Sequence, residues 1–351
     1  MNHDCGFPRG NRAIVAWYSA RDVNSGSRDM NRTSHRLGFA LLVLEWCIAG
    51  ALLAVAALRV LWHDGLWVLL TLNLFTPYIY LPAYPIALGA LWRRRWPLLA
   101  VAGSLIAAHL TWSILPLVAH KPPPVAGKTI RIASANLLMV NQDPATLAAE
   151  LENFDADIYF LQELSARWDA ELERRGFWQR YPFHRRVVGE DPFGGAIAAR
   201  IPLHDFQVFP LADLPQIRAI LPFEGTQIQL INVHTVTSFF EEDISYHHRG
   251  LEKLLHMAEG LHTRPFLLAG DFNATSDSKF ADRMRPIADD AWDLAGHGFG
   301  FTWPNGRYLV PPIRIDHIFL SKNLTATWIR LGRGAGSDHH PLVAEIGRRR
   351  N

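Results

Sequence analysis

Phe266-Leu267-Leu268-Ala269-Gly270-Asp271-Phe272-Asn273 is the stretch that decides how the rest of the chain is read. Four apolar residues form a short buried strand. A glycine follows, and the strand then delivers a carboxylate with an amide two residues further on. On an extended backbone that spacing lets Asp271 and Asn273 face the same side. A carboxylate so placed can order a nucleophilic water, and the amide can donate to a phosphoryl oxygen. An Asx-type turn after a strand would use the same residues. Asn273-Ala274-Thr275 also matches a glycosylation acceptor, a triplet that chance makes frequent.

The same grammar recurs along the C-terminal two thirds. Asn136 follows the apolar run from Ile130, Glu163 follows Ile158-Tyr159-Phe160-Leu161-Gln162, and His234 follows the run from Ile228. Asp316-His317 precedes Ile318-Phe319-Leu320, and Asp338-His339 precedes Pro341-Leu342-Val343. Buried strands explain the apolar residues but not the carboxylates, amides and imidazoles at their ends. Strand ends that gather such groups around one point make a metal-assisted active site. Glu163 at the end of a buried run is costly unless paired, and a hard cation with oxygen ligands, such as Mg2+, would satisfy it. Asp338 beside His339 is placed to orient an imidazole as a general base. Each has a plainer reading: Asn136 in a turn, His234 bonded to a carbonyl, Glu163 at a surface edge, His339 solvated. Asp316 shares a face with Arg314 and Ile318, which also permits a cross-strand ion pair.

Other chemistries find less support. His247 and His248 point about 100° apart on a helix and chelate zinc poorly. No serine sits in a glycine-flanked elbow, and no glycine-rich nucleotide loop is present, so phosphate capture falls to side chains and metal. The two cysteines, Cys5 and Cys47, lie outside this region, which therefore has no disulfide framework or thiolate site.

The formal charge of +2 hides a division near residue 121. Residues 1–121 hold 11 Lys/Arg against 5 Asp/Glu, and residues 122–351 hold 24 against 28, balances of +6 and −4. A net-acidic soluble part argues against nonspecific duplex DNA binding, which phosphate contacts dominate. Residues 37–120 carry three apolar stretches near the length of a bilayer crossing: about Leu37–Leu58, Leu66–Leu91 and Pro97–Ala119. Glu45 interrupts the first and needs a partner, and Pro77, Pro82 and Pro85 bend the second. Trp62, Trp67, Trp92 and Trp96 flank the spans as interfacial aromatics do. Arg28, Arg32 and Arg36 before the first span, with Arg93-Arg94-Arg95 between the second and third, put the N-terminus in the cytoplasm. The expectation is a multi-pass membrane protein. Three spans carry the C-terminal domain across, and one span fewer would reverse that. Residues 1–36 read as a loose polar tail and 121–128 as a stiff Pro-rich linker.

Strand-like runs at about 130–135, 157–162, 194–199, 228–233, 266–269, 316–320 and 341–346 alternate irregularly with helical patterns. Asp143-Pro144 opens one helix, with a cap and a first-turn proline, and Ile244, Leu251, Leu254, Leu255, Ala258 and Leu261 mark another. Mixed elements without a steady βαβ rhythm predict an α/β sandwich of two sheets covered by helices.

Taken in this order, the motifs resemble the endonuclease/exonuclease/phosphatase superfamily, which includes DNase I-like nucleases, inositol polyphosphate phosphatases and bacterial sphingomyelinases. The resemblance covers about residues 129–347. Gly194-Gly195-Ala196-Ile197-Ala198-Ala199-Arg200 is similar to the family's inner strand, except that Ala199 stands where serine is common. The resemblance implies a four-layered α/β sandwich with Glu163 holding Mg2+ (Mn2+ as a substitute) and Asn136 close by. His234 and Asn273 would contact the scissile phosphate, and Asp271 would position the water. Asp338 would orient His339, as base or phosphate-stabilising group, and Asp316 would support a histidine. The implied activity is phosphodiester hydrolysis, with a lipid-type or small phosphoester ahead of DNA or RNA. Phe299, Phe301, Trp303 and Tyr308 could stack bases, dip into a bilayer or pack a loop. A catalytically silent binding module on a membrane anchor is the reading from another class, and no protein partner follows from the sequence.

Overall fold

The computed structural model describes residues 12–117, 121–238, 241–261, 264–306 and 309–350, with side chains from 35 onward, Glu241 excepted. Tyr308 and the start of the polar tail, residues 1–11, lie outside that set. The chain forms two compact units: Met1–Ala54 with Pro82–Leu105, and Val55–Leu81 with Ile106–Asn351.

The apolar region is helical, but not as three plain spans. His35–Trp62 and Trp96–Leu117 are long and apolar enough to cross a membrane. The middle stretch is broken into Trp67–Leu74 and Thr76–Trp92, bent by 76°. Proline explains the break: Pro77 has no amide to give the Asn73 carbonyl, and the Thr76 hydroxyl donates to that carbonyl instead at 2.7 Å. The first helix runs Arg12–Trp62, so it begins inside the segment expected to be a loose tail. No proline interrupts it there. Within the first unit, Ala49, Ile86, Ala90, Leu98 and Ala102 form a buried cluster. Glu45 finds its partners in Arg93 and Arg95.

Among the described residues of the second unit, twelve strands follow: β1 (Val125–Asn136), β2 (Ile158–Gln162), β3 (Phe183–Val187), β4 (Gly195–Ala199), β5 (His204–Leu211), β6 (Leu214–Phe223), β7 (Thr226–His234), β8 (Phe266–Asp271), β9 (Ala288–Asp290), β10 (Asp316–Ser321), β11 (Leu324–Leu331) and β12 (Leu342–Arg349). They make two six-stranded sheets, ordered β11-β12-β1-β2-β4-β3 and β5-β6-β7-β8-β10-β9. Ile132, Phe160 and Ile197 from one sheet meet Ile217, Leu230, Leu267 and Ile318 from the other in the central core. Helices Pro144–Phe154, Ala166–Arg174 and Phe177–Arg180 cover the outer face of the first sheet. Helices Glu241–Gly260 and Lys279–Met284 cover the second. The fold is therefore a four-layered α/β sandwich. Asp143 caps its helix as expected, accepting from Thr146 N at 3.2 Å. β1 begins at Val125, paired with Arg349, so it takes up the end of the stretch read as linker.

Each sheet has one parallel pair at its centre, and the registers align the functional positions. Asn136 stands opposite Gln162 on β1 and β2. His234 stands opposite Asp271 on β7 and β8, and Asp316 on β10 stands opposite Asp271 from the other side. Gly270 makes the close approach before Asp271 feasible: a Cβ there would lie 1.9 Å from the Val233 carbonyl oxygen. Beneath the strand ends, Gln162 donates to Asn232 Oδ1 at 2.6 Å and Asn232 donates to the Leu161 carbonyl at 2.8 Å. These bonds tie the two sheets together under the site.

Candidate active site

The strand registers put His234, Asp271 and Asp316 in one row. The loop before β12 adds His339, whose Nδ1 lies 2.8 Å from Asp316 Oδ2. The His339 Nε2 and the His234 Nε2 each lie 3.7 Å from the same oxygen, Asp271 Oδ2. From the other sheet, Asn136 Nδ2 donates to Glu163 Oε1 at 2.9 Å and to Asp271 Oδ2 at 3.2 Å. One amide thus bridges carboxylates carried by opposite sheets. Glu163 Oε2 accepts from Met139 N at 2.8 Å, and the glutamate sits at φ 60°, which turns the chain sharply as it leaves β2.

Asn273, also at positive φ, gives its backbone N–H to Asp271 Oδ1 at 2.9 Å and one side-chain N–H to the Thr235 carbonyl at 2.8 Å. It therefore orients Asp271 and keeps its second amide hydrogen. Asn136, His234, Asp271, Asp316 and His339 are buried, while Glu163, Asn273 and Asp338 are half-buried. The first group makes the floor of the site and the second its rim.

Asp338 differs from its expected role. It does not hold His339; its Oδ2 accepts from Trp303 Nε1 at 3.1 Å. Consecutive side chains on an extended segment point opposite ways, so the adjacent pair in sequence separates in space, and Asp338 reaches His339 only through its charge. The face expected for Arg314 is also wrong. Its guanidinium turns to Asp293 at 2.6 Å and Asp290 at 3.6 Å, away from Asp316.

Several supporting residues were not read from the sequence. The Thr302 hydroxyl accepts from the amides of Ile315 and Asp316, both at 3.1 Å, and so sets the entry of β10. Gln216 clamps His234 through both backbone groups, at 2.8 and 2.9 Å. Phe193 lies with its ring centroid 5.5 Å from that of His234. Ser337 donates to the Asn136 carbonyl at 2.8 Å and accepts from His339 N at 3.1 Å, joining the His339 loop to β1. Glu150 and Asn305 pin the same loop, and a Cβ on Gly334 would lie 2.0 Å from the His339 carbonyl oxygen. These residues act mostly on backbone groups, which leave no motif.

Burial and neighbouring charge set the ionisation of these groups. Burial pushes the Asp271 carboxyl above the usual carboxylate range, with Asp316 and Glu163 adding to the rise against the pull of His339. Burial also opposes charge on His339, but Asp316 and Asp271 outweigh it and raise the imidazole. Burial lowers His234, which stays neutral. The ligand atoms of Asp271, Asp316 and His339 all lie within 4.8 Å of one another. His339 and Asp316 already satisfy each other, whereas Glu163 and Asp271 converge on a single neutral amide. A divalent cation beside Glu163 and Asp271 would return Asp271 to the carboxylate form. An oxygen-rich donor set of this kind suits a hard metal ion.

Residues 133–339, which include every residue of this cluster, match the sequence profile of the Endonuclease/Exonuclease/phosphatase family. The chain belongs to that family. Its members are metal-dependent phosphoesterases and nucleases. No curated protein sequence matches the chain. Among solved structures, TDP2 from C. elegans is 18% identical, with a TM-score of 0.54 over 64% of this chain and 76% of its own. D. rerio TDP2, solved in complex with a single-strand DNA product, is 19% identical with a TM-score of 0.54 over 63% of this chain and all of its own. A family protein from Bacteroides vulgatus gives 17%, 0.53, 63% and 100%. At these identities the likeness is one of fold.

Proposed function

We propose that this protein is a membrane-anchored, Mg2+-dependent phosphodiesterase that hydrolyses its substrate by in-line attack of water. The observation that carries this reading is the convergence of Glu163 and Asp271 on the Asn136 amide, with His339 and His234 on either side of the Asp271 carboxylate. Glu163, with Asn136 beside it, would hold the metal together with an Asp271 oxygen. A bound Mg2+ neutralises charge developing on the phosphoryl oxygens.

The chain's own groups do the rest. Asp271, fixed by the Asn273 amide, orients the attacking water and accepts its proton. His339, held protonated by Asp316, serves as a phosphate-stabilising cation rather than as the base. Neutral His234 and the remaining N–H of Asn273 supply further donors to the phosphate. Asp338 keeps the Trp303 loop against the rim.

The anchor fits a three-pass arrangement. Thr76–Trp92 contains 17 residues, about 25 Å of helix, enough for a return pass. The end of the first helix, the break at Phe75 and the end of the last helix all belong to the unit that holds the sandwich. Three passes put the catalytic domain on the extracytoplasmic side of a bacterial inner or plasma membrane.

Full-length protein should hydrolyse bis(p-nitrophenyl) phosphate with Mg2+, lose that activity in EDTA and regain it on Mg2+ or Mn2+ addition. Glu163→Ala should abolish hydrolysis while thermal unfolding stays cooperative. Full activity in that variant would refute the assignment. A nuclease is the second reading, favoured by the likeness to D. rerio TDP2 with its DNA product; plasmid and choline phospholipid as parallel substrates separate the two.

A further inference from the structure

The catalytic unit includes pieces of the anchor, and the way they join it goes beyond tethering. Arg59, near the end of the first helix, is buried and donates to Asn73 Oδ1 at 3.0 Å, Thr76 Oγ1 at 2.8 Å and the Asp277 carbonyl at 3.1 Å. The Asp64 carboxylate accepts from Lys279 N at 2.6 Å, and His63 bridges Asp64 and Asp282 at 2.9 and 3.1 Å. A buried guanidinium with this many partners is expensive to undock, so the sandwich is held in one orientation relative to these helix ends.

That orientation brings the helix break to the rim of the active site. Leu74 and Phe75 pack on Ile313, Ile315 and Trp303. Ile315 immediately precedes Asp316, and Trp303 holds Asp338. The Tyr78 hydroxyl donates to the Pro312 carbonyl at 2.7 Å. Phe299 and Phe301 stack on each other at 4.8 Å, and Tyr78 lies 6.0 Å from Phe301. Beyond the Trp303–Ile313 bridge, Leu309 is fully exposed and Val310 is exposed beside it. On the anchor side of the same unit, Leu66, Trp67 and Val68 are exposed as well. Apolar side chains at the ends of membrane helices, with a tryptophan among them, belong at the headgroup level of a bilayer.

We propose that the broken helix forms one wall of the catalytic opening, so that the site works on phosphodiester headgroups of lipids in the leaflet where the anchor ends. This rests on the phosphodiesterase reading above. Water's oxygen bonds to phosphorus, one ester P–O bond breaks with its electron pair, and a proton from the water ends on the departing oxygen. The substrate needs no diffusion through solvent, because its phosphorus already lies at the height of the helix break. The net charge of −4 over residues 122–351 suits a substrate presented by a membrane rather than a polyanion captured from solution.

The test uses full-length protein reconstituted with Mg2+ in vesicles of equimolar phosphatidylcholine, phosphatidylethanolamine and phosphatidylglycerol. Released phosphoester is followed by phosphorus NMR, with bis(p-nitrophenyl) phosphate and a single-stranded oligonucleotide assayed in parallel. Wild type should hydrolyse the chromogenic diester and the vesicle lipid. Leu309→Asp should slow lipid hydrolysis about tenfold by removing an apolar contact with the bilayer. The chromogenic rate should stay within about twofold of wild type, since the side chain is wholly exposed. Val310→Asp repeats the measurement at the neighbouring position. Intact lipid alongside a cleaved chromogenic diester would overturn the proposal, as would variants that slow both substrates equally or neither. No chromogenic hydrolysis at all would instead bring down the phosphodiesterase reading, and this proposal with it.

Discussion

Two Asp–His pairs lie on opposite faces of β10, and their difference is what singles out one of them as the proposed working group. Asp316 faces the strand-end cluster and takes His339 Nδ1 at 2.8 Å. The next residue, His317, faces the outer layer and takes Asp290 at 2.7 Å. Both pairs are buried and equally short. The His317 ring, however, is closed at both nitrogens, with Nε2 2.8 Å from the Ala274 carbonyl, and Arg314 shares its aspartate. His339 keeps Nε2 turned toward Asp271 at 3.7 Å, a separation longer than a hydrogen bond. The second ring nitrogen is thus what distinguishes the proposed catalytic pair from the structural one. The two Asp-His dipeptides in the sequence do not pair internally: Asp316 serves the histidine of the other dipeptide, and Asp338 serves Trp303.

The largest expected effect tests that distinction directly. His339→Gln should lower kcat on the chromogenic diester by on the order of 10³-fold, within the range for a positioned proton-transfer or charge-stabilising group, with little change in thermal stability. His317→Gln should do the reverse. Its kcat should stay near wild type while stability falls by about 2–3 kcal/mol, because Asp290 and the Ala274 carbonyl lose a buried donor. A His317 variant that loses turnover at unchanged stability would break the comparison.

The aspartates sharpen it next. Asp316→Asn should cost about 10²-fold in kcat through the orientation and charge of His339, whereas Asp338→Asn should cost less than about fivefold, since its bond is to Trp303. Equal losses would restore the neighbour-in-sequence pairing. Metal linkage comes third. Mg2+ at 100 times its Kd should stabilise wild type by about 2.7 kcal/mol, seen as a rise in unfolding temperature, and Glu163→Gln should remove that rise while His317→Gln keeps it. The smallest effect is expected at Thr302→Val, which strips the acceptor from two backbone amides and should lower stability by about 1–2 kcal/mol with a modest fall in kcat.

The strands divide by how legible they were. The seven apolar runs read from the sequence correspond to β1, β2, β4, β7, β8, β10 and β12, and all lie in the interior of their sheets. β3, β5, β9 and β11 are edges, and β6 lies next to one. Covered on both faces, an interior strand is a continuous apolar run. An edge strand such as His204–Leu211 is mostly exposed or half-buried and carries no such run. The site divides similarly. Polar residues ending interior strands stood out against their apolar surroundings, while Thr302, Gln216 and Glu150 bond to backbone atoms and blend into ordinary polar sequence.

Local pattern was enough for the class of fold, the apolar helices and the set of polar groups at the strand ends, because burial and strand periodicity act over neighbouring residues. Which partner each group takes was settled by strand register and by loops folding back across the sheet. Asp316 reaches His339 over 23 positions and Asn136 reaches Asp271 over 135. So too with the apolar helices: their stretches announced themselves and Pro77 announced the break, but the seat of Phe75 against Ile313 and Ile315 depends on packing between segments more than two hundred residues apart, which no local signal encodes.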